Sequence, residues 1–353
     1  MPSTSIDTFF ACTILLAAAL MSTAFLTSTM QTTLSSTQDI NKESYLKGIA
    51  DNILTNTGNP TNWGLSNNVP MDFGLAANSS IENYEVDPDK ICRLNPQNDY
   101  SLSYFDLENS AKLINIGLGI TVSQIMSINI QQSGRSTIGN NENLNFTILT
   151  SIDSKPVSAT LQCYIVANNY LGFLNNATTS DIGLGFINTQ IPIGASGNSN
   201  LIVFARSSFD SRITSYTIYN IANSSQESTP NNDLLDLSPL NYRLTLSTNS
   251  SDLTVQGCFI FSYNYEDQSI INIQNIQNSS QIQLPRLIDN SPFVIIVYGV
   301  ENGLFFQEWT AYPQIPLNAG SNFSGSEQNV FSYIVTINGI LCKLDISLGD
   351  VPP

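Results

Sequence analysis

The chain contains no histidine, and that single absence removes most of the chemistry a protein can perform. Histidine is the commonest general base near neutral pH and the commonest metal ligand, and Ser-His-Asp and Cys-His arrangements all need it. Five cysteines occur, Cys12, Cys92, Cys163, Cys258 and Cys342, with no C-x-x-C among them, so a zinc site is not expected. Carboxylates remain, and two acids suffice for glycoside hydrolysis, but no pair of them stands out. We therefore expect no enzyme activity, no cofactor and no metal. A carbohydrate-active surface enzyme using two acids is the most distant of the readings considered.

Asparagine chemistry is more prominent. Seven N-x-S/T sequons occur, at Asn78, Asn145, Asn176, Asn223, Asn249, Asn278 and Asn322. Such sites accept N-linked sugars on an exterior face. All seven follow one apolar segment, so the bulk of the chain is expected outside the cell. Only 11% of residues are charged, the net charge is −16 and the sequence pI is about 4.1. Nucleic acid and anionic lipid head groups both call for cations, so neither is an expected partner.

The apolar segment decides the rest. No Lys or Arg precedes Lys42, and an uncharged run extends from Thr8 to Gln38 directly after Asp7. A helix rises about 1.5 Å per residue and a bilayer core needs about 20 apolar residues, so the run is long enough to span. A secretory signal peptide expects a basic leader, which is missing. A buried core helix is not expected over so long an uncharged run. A carboxylate at the edge of an apolar helix is expensive in hydrocarbon unless paired. At the start of the run Asp7 also suits the helix N-terminus, a role compatible with pairing.

The segment Ser3-Thr4-Ser5-Ile6-Asp7-Thr8-Phe9-Phe10 resembles the start of archaeal type IV pilin-like proteins with a class III signal peptide. The resemblance implies cleavage between Pro2 and Ser3, with Asp7 as the fifth mature residue, and pairing of Asp7 with the free amine of a neighbouring subunit. The chain departs from the family in carrying Met1-Pro2 where a basic residue and Gly are usual, and Ser3 where Gln is usual. Three further pieces resemble a segment of the same family: Asn59-Pro60-Thr61-Asn62-Trp63-Gly64, Phe73-Gly74-Leu75-Ala76 and Val86-Asp87-Pro88-Asp89-Lys90-Ile91-Cys92-Arg93-Leu94. The family implies a homopolymer through the N-terminal helix, a prepilin-type peptidase, and an assembly ATPase with its membrane platform. A monomeric membrane-anchored surface binding protein reads the same way at the helix and is the alternative.

The elements that must carry these features follow from periodicity. Leu46, Ile49, Ile53 and Leu54 recur at helical spacing, and Gly58-Asn59-Pro60 stops the helix, giving an N-terminal helix over 1–57. A helical connector is expected over 58–115, with Asp87 as N-cap and Pro88 at the first helical position. Asp87 and Asp89 together also suggest a cation site, but a cap is the commoner role. From Ile120 the pattern is mainly β, short Val/Ile/Thr/aromatic runs separated by Asn/Gly/Ser turns. We expect two immunoglobulin-like sandwiches, 116–240 and 241–353, joined by a polar linker over Ser224 to Pro239. Internal echoes support a duplication: Cys163-Tyr164-Ile165 with Cys258-Phe259-Ile260, and Val203-Phe204-Ala205 with Ile296-Val297-Tyr298. The cluster from Phe305 to Pro313 is read as core, with stacking on surface glycans the less expected use. Cys258 and Cys342, in an early and a late strand of the second sandwich, are expected to form a disulfide. The whole reads as an archaeal cell-surface filament subunit, membrane-anchored before assembly, that presents its β-domains for adhesion.

Overall fold

The computed structural model describes residues 3–78, 84–168, 170–193, 195, 199–221, 234–248, 250, 252–274, 280–287, 291–321, 323 and 328–350. Side chains at 3–8, 29, 31–41, 175–176 and 268–274 are not described. The chain divides into two units, Met1–Asp51 and Asn52–Pro353. Helix α1 (Ser3–Thr55) makes up the first unit, and its last turn begins the second.

The second unit is mainly β. A short 3-10 turn (Trp63–Leu65), β1 (Glu85–Val86), α2 (Pro88–Cys92) and α3 (Tyr104–Ala111) form the connector. Then come β2 (Ile116–Gln124), β3 (Met126–Ile138), β4 (Asn141–Ile152), β5 (Lys155–Pro156), β6 (Ala159–Ala167), β7 (Tyr170–Thr178), β8 (Leu184–Pro192), β9 (Ser199–Ser207) and β10 (Thr214–Ile221). They are followed by β11 (Asp236–Leu240), β12 (Arg243–Ser247), β13 (Leu253–Ser262), β14 (Tyr265–Gln274), β15 (Ser280–Gln283), β16 (Phe293–Glu301) and β17 (Leu304–Tyr312). The chain closes with β18 (Leu317–Gly320), β19 (Gln328–Ile337) and β20 (Ile340–Asp350).

Two sandwiches repeat one topology. In the first, β4 pairs β3 and β8 on one layer, and the facing sheet runs β10-β9-β6-β7. In the second, β11-β12-β15 faces β14-β13-β16-β17. Strand for strand the orders match, and this is the connectivity of immunoglobulin-like sandwiches. A register irregularity also repeats, between Leu161 and Cys163 in β6 and between Val255 and Gly257 in β13.

The apolar runs in β6, β9, β13 and β16 do not alternate, and the packing explains why. Leu161, Cys163 and Ile165 of β6 and Leu201, Val203 and Ala205 of β9 fill the first sandwich core. Val255, Cys258 and Ile260 of β13 and Phe293, Ile295 and Val297 of β16 fill the second. The intervening residues, Tyr164, Val166, Ile202, Phe204, Phe259, Phe261, Val294 and Ile296, meet in a third cluster. The central sheets of the two sandwiches therefore pack on each other. A strand buried on both faces is apolar throughout. Aromatic rings dominate this third layer, with Tyr164 and Phe261 centroids 4.8 Å apart and Phe259 and Tyr298 stacked at 4.9 Å.

Three expectations are corrected here. Strands β2, β18, β19 and β20 belong to neither sandwich: with β1 they form a fifth sheet, β1-β19-β20-β2-β18. The chain leaves that sheet after β2, builds both sandwiches and returns to it, so the sandwiches span β3–β10 and β11–β17, and residue 240 is no boundary. Of the expected linker, 224–233 lies outside the described residues. Asp236 to Pro239 are strand, and Pro239 is tolerated because β11 is an edge. Finally, no bond joins Cys258 and Cys342. Cys258 lies in the second core opposite Ser269 and Val297, whereas Cys342 lies in the fifth sheet opposite Val335 and Gln124. All five cysteines are thiols, and burial pushes the Cys342 thiol up to about 12. The pairing failed because the last strand left the sandwich to which it was assigned.

Candidate assembly helix and connector

The stretch Phe9–Ser28 is long and apolar enough to cross a membrane, and none of it is buried within the protein. Phe9, Ile14, Leu15, Met21 and Phe25 are all exposed. They occupy every side of the helix, so no polar face exists to turn toward water. All five hydroxyls in the stretch bond back to the helix itself. Thr13 donates to the Phe10 carbonyl at 2.9 Å, Ser22 to Ala19 at 2.9 Å, Thr23 to Ala19 and Leu20 at 3.1 and 3.0 Å, Thr27 to Thr23 at 2.8 Å and Ser28 to Phe25 at 3.0 Å. Every hydroxyl of the stretch is thereby satisfied without water, the condition for entering hydrocarbon or an apolar helix bundle. Asp7 is the fifth residue of α1, inside the helix and not ahead of it. It is thus no N-cap, which corrects one of its two expected roles. Ser3 begins the helix, and Pro2 lies outside the described residues.

The three connector pieces fold onto one another. Trp63 is fully buried. Its Nε1 donates to the Gly74 carbonyl at 2.9 Å, and its ring lies 5.6 Å from that of Phe73. Two cations approach the same indole, Lys90 Nζ at 5.8 Å and Arg93 Cζ at 5.4 Å from the ring centroid. Lys90 Nζ donates to the carbonyls of Thr57 (2.8 Å) and Ala76 (2.7 Å), joining the segment after α1 to the second piece. Arg93 donates to the carbonyls of Trp63 (2.6 Å), Asn68 (3.0 Å) and Tyr100 (2.9 Å). Burial lowers both cations, Lys90 to about 8. The glycines of these pieces are required by contact. A Cβ at Gly74 would lie 2.3 Å from the Asn56 carbonyl oxygen, and one at Gly64 would lie 2.8 Å from the Lys90 nitrogen. Lys90 and Arg93 are the residues whose role the sequence hid, since cations in a short helix read as surface charge.

The two acids of the connector separate. Asp87 caps α2 as expected, accepting from the Asp89 and Lys90 amides at 2.9 and 3.3 Å. Asp89 is buried and points elsewhere, its Oδ1 accepting from the Asn241 amide at 2.6 Å and from the Tyr312 hydroxyl at 3.0 Å. They do not share a cation site, and no metal-binding cluster occurs among the described residues. Asp89 and Cys92 tie the connector to the second sandwich, whose core includes Cys92.

Burial raises the Asp89 carboxyl to about 6; Asp87 adds to this, while the Asn241 and Tyr312 hydrogen bonds and Arg286 oppose it. The folded protein therefore holds this proton more tightly than the unfolded chain, whose value is near 3.8. Between those two pH values the folded state binds more protons, so stability falls as pH rises through about 4 to 6. An Asn at 89 keeps an acceptor for both donors without the buried charge. We expect Asp89→Asn to gain about 2–3 kcal/mol at pH 7 and to flatten the urea midpoint between pH 4 and 7. A loss of stability at pH 7 would mean that the carboxylate charge itself is needed.

The remaining sites are scattered. Asn78 and Asn145 are exposed. Asn176 lies in β7 with its side chain undescribed, and Asn223, Asn249, Asn278 and Asn322 lie outside the described residues. Of the Phe305–Pro313 cluster, Ala311 enters the aromatic layer and Tyr312 the second core, while Trp309 is 45% exposed. No family model matches the chain, and no curated protein does. Among solved structures, HBP35 of Porphyromonas gingivalis is similar at 12% identity, over 52% of this chain and 63% of that one, with a TM-score of 0.19. The chain thus spans less than two thirds of that neighbour's length, and a likeness of this degree fixes neither fold nor function.

Proposed function

We propose that the chain is a pilin-like structural subunit of an archaeal cell-surface filament. It polymerises through α1 and presents its two immunoglobulin-like sandwiches for adhesion. The observation that carries the reading is the apolar stretch Phe9–Ser28, exposed on every side and with each of its hydroxyls satisfied internally. Such a surface is unstable in water and must be covered by lipid, by other helices, or by each in turn. Asp7 at its start supplies the second half of the argument. A carboxylate within the first turns of an apolar helix needs a cation when that helix is packed among its copies, and the amine of a subunit cleaved before Ser3 is one. The peptidase, the ATPase and the platform follow from the same resemblance.

Shearing of intact cells separates filaments from membrane. We expect the chain in the sheared, sedimentable fraction as polymers. Recovery only from the membrane, as detergent-soluble single chains, would favour the monomeric anchored binding protein instead.

A further inference from the structure

The two sandwiches differ on one face. In the second, the outer face of the small sheet β11-β12-β15 is covered. Leu237, Leu244 and Leu246 enter the core, so Ser238 and Thr245 point away from it, yet both are buried. The connector is the cover: the Asp99 amide donates to Ser238 Oγ at 2.8 Å, and the Tyr100 and Thr245 hydroxyls lie 3.2 Å apart. The matching sheet of the first sandwich, β3-β4-β8, is bare. Leu144, Phe146 and Ile148 of β4 enter the core, so Asn145 and Leu149 point outward. Both are exposed, as are Gln131 of β3 and Phe186 and Asn188 of β8 on the same face. The three strands carry charge only at Arg135 and Glu142, which pair with each other at 2.6 Å.

Asn145 lies at the centre of this face and opens the sequon Asn145-Phe146-Thr147. It stands between Gly134 of β3 and Asn188 of β8. Glycine weakens a strand and marks a bulge or a close approach. The ladder does shift between Gln132 and Gly134, but the Gly134 backbone is not in the left-handed region where a bulge calls for glycine. What glycine provides here is clearance: a Cβ at 134 would lie 3.0 Å from Asn145 Nδ2, the atom that a sugar would occupy.

We propose that Asn145 carries an N-linked oligosaccharide that lies on this face and covers it, as the connector covers the matching face of the second sandwich. Transfer from a lipid-phosphate-linked oligosaccharide joins Nδ2 to the anomeric carbon. The bond from that carbon to the phosphate oxygen breaks, the phosphate leaves with the electron pair, and Nδ2 gives up one proton. The surroundings suit uncharged sugars. Amide side chains such as Gln131 and Asn188 offer hydroxyls both donors and an acceptor. Phe186, 66% exposed, stands opposite Thr147 and so diagonal to Asn145, roughly 7–8 Å away at Cα, where its ring can meet the C–H face of a sugar. Acidic sugars would be repelled by a chain of net charge −16. The proposal requires that the second unit be outside the cell; it does not require polymerisation through α1.

The test is glycopeptide mass spectrometry of the full chain from native cells, followed by hydroxyl-radical footprinting of the folded protein. Most copies of the peptide containing Asn145 should carry sugar. Asn145→Gln and Thr147→Val each abolish the sequon, the second while keeping Asn145 and the shape of its neighbour. In both variants Phe186 should oxidise roughly threefold faster than in the wild type, because a ring under a sugar loses most of its contact with water. Phe209, exposed on the loop between β9 and β10, should oxidise at one rate in all three. An unmodified Asn145 overturns the proposal. Sugar at the exposed Asn78 in that same sample would show that the site failed although the chain met the transfer machinery, whereas sugar at neither residue would count against the exterior location as well. A modified Asn145 with equal Phe186 oxidation in wild type and variants also overturns it, since the sugar would then stand off the face.

Discussion

Asp7→Ala is expected to reduce filaments on the cell surface by about two orders of magnitude while leaving the β unit as stable as before. The size follows from what the substitution strands. In the proposed filament the carboxylate meets the amine of a neighbouring subunit among apolar helices. Removing one partner of a desolvated pair costs roughly 3–5 kcal/mol, because the other charge stays buried and alone. Each 1.4 kcal/mol is tenfold in affinity, so subunit addition should weaken at least about 100-fold. Asp7 belongs to the first unit and the sandwiches to the second, so the thermal melt of the β domains should not move. Asp7→Glu keeps the charge on a longer stem and should restore part of the assembly. Filament counts by electron microscopy, alongside chain abundance in the membrane, measure both effects. Normal filament number and length in Asp7→Ala would remove Asp7 from the account.

Trp63→Ala is expected to be the most damaging single change in the connector. A fully buried Trp replaced by Ala costs about 3–5 kcal/mol in packing and cavity terms. Here the ring also faces two buried cations, and its Nε1 holds the Gly74 carbonyl. Trp63→Phe retains most of the ring but forfeits that hydrogen bond, so about 1 kcal/mol of the loss should come from it. Urea unfolding of the full chain in detergent, followed by far-UV circular dichroism, gives both values. A Trp63→Ala loss under 1 kcal/mol would mean that the three connector pieces are held by something other than this ring.

Much of the molecule could be read from local pattern, and the failures share one cause. The helix, the Asp87 cap with Pro88 behind it, and the β character after Ile120 all depend on neighbours in sequence, and the structure has each. The tandem sandwiches were legible through one echo, Cys163-Tyr164-Ile165 with Cys258-Phe259-Ile260, whose residues keep the same faces; the other, Val203-Phe204-Ala205 with Ile296-Val297-Tyr298, is out of register, since Val203 faces a sandwich core and Ile296 the aromatic layer. What could not be read was pairing across distance. Nothing local in Ile340–Leu348 says that its partner is β2, more than two hundred residues earlier, and so the Cys258–Cys342 bridge was misplaced. Asp89 was unreadable for the same reason: its partners, Asn241 and Tyr312, come from the second sandwich. Lys90 and Arg93 were hidden by chemistry: the acids beside them in sequence, Asp87 and Asp89, bond to backbone amides and to Tyr312, while the cations are held by carbonyls from elsewhere in the connector.

The central claim is that α1 is an assembly helix with a free amine placed for Asp7. The most direct measurement is N-terminal sequencing of the chain recovered from filaments sheared off native cells. The account predicts a sequence beginning Ser3-Thr4-Ser5-Ile6-Asp7, with an unblocked amine. Filament-free cells whose chain retains the residues before Ser3 would contradict it.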